Sequence, residues 1–331
     1  MTDVHWTVLR DAAKQALIHG AFEDAEARTR EAQRLAAAAG ASAQDVSSLQ
    51  RDLIDILVGR GAFAEAQQLG EAWLESLDRD PEAAGPQLGM ALMTLGVIAG
   101  ARDDVRQAIA MFRRARKVFE STLGAWDPEV AECLREHAAI LVEHDRYDDA
   151  LPLYRRALAI FEAELGPETE EVAETLTAVG DCLAAAEDYY GAKRYLRRAL
   201  MTSERAFGPD TLEAARAAQD LAEFYLDYEE YEDAAPLLHR ALGIFEDETG
   251  LNSLNVADCL RALSVLHGAT NQAELALLDY RRAVAIWESD PGHAEIMSEI
   301  YTTVAELAEA AGRTDDARAA RQRAEELNGP R

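Results

Sequence analysis

The side chains that could carry out chemistry are few in this chain and widely spaced. Cys133, His137 and His144 stand four and seven residues apart, so an α-helix carries them on one side. A zinc site needs further ligands that converge on the same point, and no other histidine or cysteine has the spacing for it. His137 also falls on a packing position of the chain's repeat, so we expect it to have a structural role.

Two acidic runs are further candidates, as ligands of a cation. They are ETEE at 168–171 and DYEEY at 227–231. Both lack the spaced Asp or Asn and the central Gly of a calcium loop, and acidic side chains next to a helix start are explained by the helix dipole. The chain also has no GxxxxGK[ST], GxGxxG, HExxH or GxSxG motif. The sequence therefore predicts no enzyme, no catalytic residue, no metal and no cofactor.

The net charge narrows the classes of partner. The chain has 61 acidic and 33 basic residues and a formal net charge of -28. Such a charge opposes binding to phosphate backbones and to anionic lipid. We therefore expect a protein or peptide partner with basic and apolar residues, and no nucleic acid or membrane. The alternative, that the charge serves solubility alone, stays open.

The cysteines and the N-terminal residues bear on the compartment. Cys133 and Cys259 occupy the same repeat position three repeats apart, too far for a disulfide. Residues 1–20 lack the basic-then-apolar pattern of a signal peptide, and no run approaches the ~18 apolar residues of a transmembrane helix. We expect a cytoplasmic protein.

The elements that position these side chains repeat along the chain. The segment at 147–165 reads YDDALPLYRRALAIFEAEL, and it returns, altered, at Tyr189 and at Tyr231, 42 residues later each time. Periods of this size are typical of solenoids, in which each unit contacts only its neighbours. We predict an all-α solenoid that forms one domain over residues 1–331. Its eight helical hairpins are expected at residues 4–39, 43–78, 86–122, 128–165, 170–207, 211–248, 253–288 and 293–327.

The second helix of each hairpin carries a small, a large and a small residue along one face. Ala108, Phe112 and Ala115 show this pattern, which lets the paired helix approach closely. Glycines stop these helices, because Gly accepts a positive φ. The arrangement resembles the tetratricopeptide repeat, and the 42-residue unit is similar to its kinesin-light-chain type, which also occurs in bacterial proteins. The resemblance rests on YDDALPLYRRALAIFEAELGPETEEVA and FESTLGAWDPEVAECL and is strongest between residues 105 and 288.

The resemblance implies a right-handed α-solenoid superhelix whose first helices line a concave groove that captures peptides or protein segments. In that family an Asn-Asn pair follows the first packing Leu and holds the peptide backbone. Here the pair reads Arg135-Glu136 in one hairpin and Gln219-Asp220 in another. This departure argues against the family's acidic cargo peptides and chaperone tails as ligands.

Counting along the first helices gives the side chains expected to face the groove. They make it acidic in the middle and apolar towards its ends, which complements a segment with central Lys or Arg and apolar anchors. An alternative for the two methionines is that they pack against the adjoining hairpin. The predicted groove residues are Met90, Met93, Val97, Glu132, Arg135, Glu136, Glu143, Glu174, Thr177, Asp181, Arg216, Gln219, Asp220, Glu223, Asp227, Asp258, Arg261 and Thr303.

A basic and an acidic position recur in the second helices at the same 42-residue interval. One interpretation is an anion-binding stripe. The other, which we favour, is a ladder of ion pairs between neighbouring outer helices, because such exposed pairs are common and contribute only about 0–1 kcal/mol each. The residues are Arg114, Arg156, Arg198, Arg240 and Arg282, with Glu120, Glu162, Glu204, Glu246 and Glu288.

These patterns favour a non-enzymatic interaction scaffold or adaptor that binds a partner segment in an acidic concave groove. Two alternatives stay open. One is a peptide-responsive sensor that acts on an effector protein, and the other is a self-assembling homo-oligomer. The polar last helix argues against end-to-end stacking, because terminal repeats with polar faces cap an array.

Overall fold

Residues 5–18, 21–78, 85–289 and 296–327 are described by the computed structural model, and within these ranges the chain forms helices and turns without a strand. The predicted hairpin starts at residues 4 and 293 lie outside the described residues. The helices are α1 (Trp6–Ile18), α2 (Phe22–Ala39), α3 (Ala43–Gly59), α4 (Phe63–Asp78), α5 (Pro86–Ala101), α6 (Val105–Thr122), α7 (Pro128–Val142), α8 (Tyr147–Glu164), α9 (Glu170–Ala185), α10 (Tyr189–Ala206), α11 (Leu212–Asp227), α12 (Tyr231–Thr249), α13 (Leu254–Ala269), α14 (Ala273–Trp287), α15 (Met297–Ala310) and α16 (Thr314–Leu327).

The contacts between these helices divide the chain into two compact units, unit 1 (Met1–Leu165) and unit 2 (Gly166–Arg331). Within each unit every helix packs against the next one along the chain. The first helices of neighbouring hairpins also contact each other, as α9 does α11 and as α11 does α13. The predicted all-α class and the succession of hairpins are confirmed. A single domain and a right-handed superhelix stay predictions.

The small-large-small face of the second helices forms the seam of each hairpin. In α6, Ala108, Phe112 and Ala115 are fully buried. Glycines in the facing first helix make room for the large residue. A Cβ atom on Gly96 would come within 3.1 Å of the Phe112 ring, and one on Gly180 within 2.6 Å of Leu196. Close approach of the two helices therefore depends on small residues on both sides.

The turn inside a hairpin is built in the same way in seven of the hairpins. The residue two places before the second helix has a positive φ, which closes the first helix as a Schellman motif. In the third hairpin the N–H of Asp104 accordingly donates to the carbonyl of Ala99 at 2.8 Å. The position is held by Gly61, Asp103, Asp145, Glu187, Glu229, Asn271 and Gly312, with φ between 57° and 75°.

The arginines that recur in the second helices join neighbouring hairpins. Arg156 pairs with Glu120 at 2.8 Å in unit 1, while Arg240 pairs with Glu204 at 2.6 Å in unit 2. The same guanidinium groups donate to a carbonyl in the preceding loop, that of Ala125 at 3.3 Å for Arg156. Arg282 repeats the arrangement with Glu246 and the carbonyl of Leu251. The ion-pair ladder is confirmed at these three positions.

Helix α5 departs from the pattern, because it is apolar on all sides. Its sequence, PQLGMALMTLGVIAGA, has no charged residue. Met93 is 2% exposed and Thr94 is 4% exposed, whereas Met90 and Val97 are half-buried. Over the described residues, no helix is both long and apolar enough to cross a membrane.

Candidate functional site

Two adjoining clefts lie along the first helices α9 and α11 of unit 2. The larger has a volume of about 620 Å³ and the smaller about 270 Å³. Asp181 of α9 and Asp220 of α11 line both of them, so the clefts are continuous. Each helix contributes several lining residues because side chains three and four positions apart on a helix point to the same side.

The larger cleft is acidic with an aromatic rim. Asp181, Asp220, Glu223 and Asp227 line it, together with two alanines of α9. The rings of Phe224 and Tyr228 close one side, with their centroids 4.8 Å apart. Such a combination offers negative charge and an apolar contact to the same ligand.

The carboxyl groups in the larger cleft raise one another's pKa. Desolvation by the cleft walls, followed by the charges of Asp181 and Glu223, raises the pKa of Asp220 to about 7, against a smaller opposing effect of Arg216. Desolvation and the charge of Glu223 raise the pKa of Asp181 to about 6, although its side chain is exposed. The pKa of Asp227 is raised for the same two reasons. The cleft therefore holds more negative charge than the neighbouring basic side chains compensate.

The smaller cleft mixes apolar and polar walls. Ala173, Ala178 and Ala217 face it, and Phe207 from the end of the second helix closes its base. Its polar lining includes the predicted residues Glu174, Thr177 and Arg216. An apolar side chain next to a basic one could therefore be accommodated by the two clefts together.

Other predicted residues of unit 2 contact the clefts through Glu223. Gln219 donates to the Glu223 carboxylate at 2.9 Å, and Arg261 of α13 pairs with the same carboxylate at 3.0 Å. Asp258 is half-buried on α13. Thr303 lies on α15, where its hydroxyl donates to the carbonyl of Glu299 within the same helix. Thr303 is thus not among the residues that line either cleft.

The predicted groove residues of unit 1 have a different electrostatic setting. On α7, Arg135 pairs with Glu132 at 2.9 Å and lies 3.8 Å from Glu136. Desolvation and the charge of Glu132 raise the pKa of Glu136, against the opposing effect of Arg135. Glu143 is exposed at the end of α7. Arg135 therefore compensates part of the acidic charge in this part of unit 1.

The prediction that Met93 of α5 faces a groove is wrong. Met93 belongs to the buried core of unit 1, where its thioether has no accessible surface for a partner. Met90 is packed against the cluster formed by Leu53, Trp73 and Leu95. The alternative interpretation, packing against the adjoining hairpin, describes Met90.

Several site residues were not foreseen from the sequence. Phe224 and Tyr228 in the larger cleft and Phe207 in the smaller one come from positions that the count along the first helices left out. Aromatic residues near the end of a first helix are the signal that could have pointed to the rim.

No group of three or more His, Cys, Asp and Glu side chains in the described ranges has the arrangement of a metal site. Cys133, Cys182 and Cys259 are buried free thiols, and desolvation raises the pKa of Cys133 and of Cys259 to about 12. A thiol with so high a pKa is a poor nucleophile, since the thiolate is the reactive form.

Comparison with known proteins identifies the repeat. A family model described as tetratricopeptide repeat matches residues 87–163, 129–204, 171–247 and 214–289, which together span more than half of the chain. A comparison with curated protein sequences finds no match.

Solved structures share the fold at low sequence identity. BtubC (BKLC) from P. vanneervenii is 20% identical over 69% of this chain and 95% of its own, with a TM-score of 0.60. A kinesin light chain of Podosopora anserina with nearly identical TPR-like repeats is 15% identical over 61% of this chain and 95% of its own, with a TM-score of 0.53. The apo form of the quorum sensor NprR from B. thuringiensis is 14% identical over 98% of this chain and 87% of its own, with a TM-score of 0.64.

The family match, the 42-residue hairpins and their small-large-small seams agree with one another. The chain therefore belongs to the tetratricopeptide repeat family.

Proposed function

We propose that this protein is a non-enzymatic interaction module that binds a basic segment of a partner protein in the acidic cleft between α9 and α11. The observation that carries the proposal is the accumulation of Asp181, Asp220, Glu223 and Asp227 around one cleft of about 620 Å³. The tetratricopeptide hairpins and a structural relative named as a quorum sensor support a binding role.

Desolvation first, and then repulsion between the carboxylates, makes ionisation of the cleft residues costly. The raised pKa values of Asp181 and Asp220, about 6 and about 7, mean that ionisation of each group is unfavourable in the free protein. A Lys or Arg side chain between them stabilises the ionised forms, because it offsets both the desolvation and the repulsion between the carboxylates. The gain on binding is therefore larger than for an acidic surface whose charges are already paired.

The chemistry of the segment follows from the two clefts. A basic side chain suits the larger cleft, where the exposed ring of Tyr228 can also contact a guanidinium or ammonium group. An apolar neighbour in the segment suits the alanine-lined smaller cleft. We expect a recognised segment to combine at least one Arg or Lys with an adjacent apolar anchor.

Binding of a short synthetic peptide with a central Arg-Lys pair and flanking leucines tests the proposal. The double charge reversal Asp220→Lys with Glu223→Lys is compared with Asp247→Lys with Glu248→Lys, a matched reversal at exposed residues of α12. We expect the cleft variant to lose at least about tenfold in affinity and the α12 variant to keep most of it. Equal binding by the two variants, or binding that does not weaken with salt, would contradict the proposal.

The likeness to a quorum sensor favours a second candidate, a regulator that responds to a peptide and acts on another protein. It predicts that the same peptide changes the small-angle scattering profile of the protein. An unchanged profile at saturating peptide would leave simple capture of a partner segment as the function.

A further inference from the structure

A small pocket in unit 1 has the opposite charge to the rest of the protein. It has a volume of about 210 Å³ and lies between α6, α7 and α8. Arg113 and Arg116 of α6 line it, with Arg146 at the start of α8 and His137 on α7. Asp149 is the one acidic side chain in the lining. Three guanidinium groups thus converge in a chain whose net charge is -28.

Two of these residues are polar at positions that are apolar in the neighbouring repeats. The position of Arg116 is occupied by aliphatic residues in the neighbouring second helices, namely Leu74, Leu158, Leu200, Leu242 and Val284. The position of His137 is occupied in the neighbouring first helices by Leu95, Val179, Leu221 and Leu263, all of them buried. A leucine and a valine would therefore pack at this junction, so packing does not explain the two polar side chains.

Each of the two polar side chains also has a buried nitrogen that makes no hydrogen bond. His137 is 6% exposed, and its ring stacks on Phe112 with the centroids 5.6 Å apart. Among the described residues, Nε2 of His137 has no hydrogen-bond partner, and Nε of Arg116 has only the longer ion-pair contact with Glu120 at 3.7 Å. Leaving a buried donor unsatisfied costs free energy, which a ligand with acceptor oxygens would recover.

The charges that face the pocket leave an excess of positive charge. Asp149 is bound to Arg146, with Nε to Oδ2 at 3.0 Å. Glu120 lies 3.7 Å from Nε of Arg116 but is engaged at 2.8 Å by Arg156. Arg113 forms no ion pair within the part of the chain that the structure describes. Burial, followed by the charges of Arg113, Arg116 and Arg146, lowers the pKa of His137 to about 4, so the imidazole is neutral and can donate one hydrogen bond.

We propose that this pocket binds a phosphoryl group, with Arg113, Arg116 and Arg146 as its cationic partners and His137 Nε2–H as a neutral donor at its base. Three guanidinium groups beside one carboxylate balance a dianion in charge, and guanidinium forks match the tetrahedral oxygens of phosphate. The cavity has room for one such group. Aliphatic side chains, among them Leu141, form the rest of the lining. The site is separate from the acidic cleft of unit 2 and does not depend on its function.

The phosphoryl group could be free phosphate or the phosphorylated side chain of a partner, and two probes distinguish these sources. Inorganic phosphate and a short peptide that contains phosphoserine are titrated into the full chain by calorimetry, with the unphosphorylated peptide as a blank. Binding of either phosphorylated probe supports the site. Tighter binding of inorganic phosphate identifies a free anion as the ligand, and tighter binding of the peptide identifies a phosphoprotein.

The decisive variants are Arg116→Leu and His137→Val, which restore the residues of neighbouring repeats and should therefore fold. We expect Arg116→Leu to weaken binding at least about tenfold. The control is Arg114→Leu, which removes the same charge from an exposed position of α6 outside the pocket lining. No saturable binding of either probe to the native chain, or equal binding by Arg116→Leu and the native chain, would overturn the proposal.

Discussion

Arg261 of α13 pairs with Glu223 of α11 at 3.0 Å, and this ion pair supplies a cation to the rim of the acidic cleft. The Arg261 guanidinium also opposes the rise in the pKa of Asp227. Arg261 therefore competes with a basic ligand for the same carboxylate. The ion pair joins α11 and α13, which also lie next to each other.

Removing this internal cation should strengthen binding of a basic peptide. For Arg261→Ala we expect affinity to rise about two- to fivefold, because Glu223 becomes free for the ligand and an exposed pair is worth only about 0–1 kcal/mol. Fluorescence anisotropy with a labelled peptide measures the change. Arg261→Lys, which keeps the charge, should bind like the native chain. Weaker binding by Arg261→Ala would mean that the guanidinium helps to form the site.

Neutralising Asp220 should stabilise the fold at neutral and alkaline pH. Its pKa is raised to about 7 in the folded chain, so between pH ~4 and ~7 the folded state holds more protons than the unfolded state. Stability is therefore present at low pH and falls as the pH rises through this window. We expect Asp220→Asn to raise the free energy of unfolding by about 1–2 kcal/mol at pH 8 and to change it little at pH 4, after a discount for solvent screening.

Urea denaturation at both pH values checks the Asp220 prediction. Asp247→Asn on the exposed face of α12 is the control and should leave the pH dependence unaltered. A gain of equal size at both pH values would point to a cause other than ionisation.

Glycine at the left-handed turn positions should stabilise the hairpins. Glu187 and Glu229 both have a φ of 61°, a conformation that Gly adopts at lower cost. We expect Glu187→Gly and Glu229→Gly each to raise the free energy of unfolding by about 0.5–1 kcal/mol. In contrast, Ala159→Gly at an exposed site inside α8 should lower it by about the same amount. Thermal denaturation of the three variants measures the difference, and a loss at both turn positions would contradict the expectation.

The polar residues of the phosphoryl pocket should reduce stability in the absence of ligand. We expect the combined Arg116→Leu and His137→Val variant to be about 1–2 kcal/mol more stable than the native chain, because two unsatisfied buried nitrogens are replaced by groups that pack. Urea denaturation in phosphate-free buffer measures this. Arg114→Leu should stay within about 0.5 kcal/mol of the native value. A less stable double variant would show that the two side chains make favourable contacts of their own.

The succession of helical hairpins could be predicted from the sequence because the same local pattern recurs in several repeats. The starts of the second helices at Val105, Tyr147, Tyr189, Tyr231 and Ala273 agree with the predicted positions. The seams and the ion-pair ladder followed from the same period. Local signals of this kind depend on neighbours in the chain and are readable without a structure.

The orientation of the α5 side chains and the conformation of the turn residues could not be predicted in the same way. Helix α5 is apolar on every side, so its periodicity cannot tell an inward face from an outward one, and Met93 was assigned to the wrong face. The left-handed turn position at 187 is occupied by Glu and not by Gly or Asn, so the sequence does not indicate its positive φ. The role of His137 was judged from that residue alone, whereas the informative signal was its contrast with Val179 and Leu221 one and two repeats on.

The polar junction at Arg116 and His137 also has a consequence for how unit 1 unfolds. In a solenoid the free energy of unfolding is a sum of repeat terms and nearest-neighbour interface terms, and the chain unfolds as one body only if every interface is strong. An interface that contains unsatisfied polar groups is less stable, and the hairpins on its two sides can unfold separately. A dianion bound there would stabilise the interface and couple the unfolding of the two hairpins. Binding would then make the unfolding transition steeper even if the folded structure did not change.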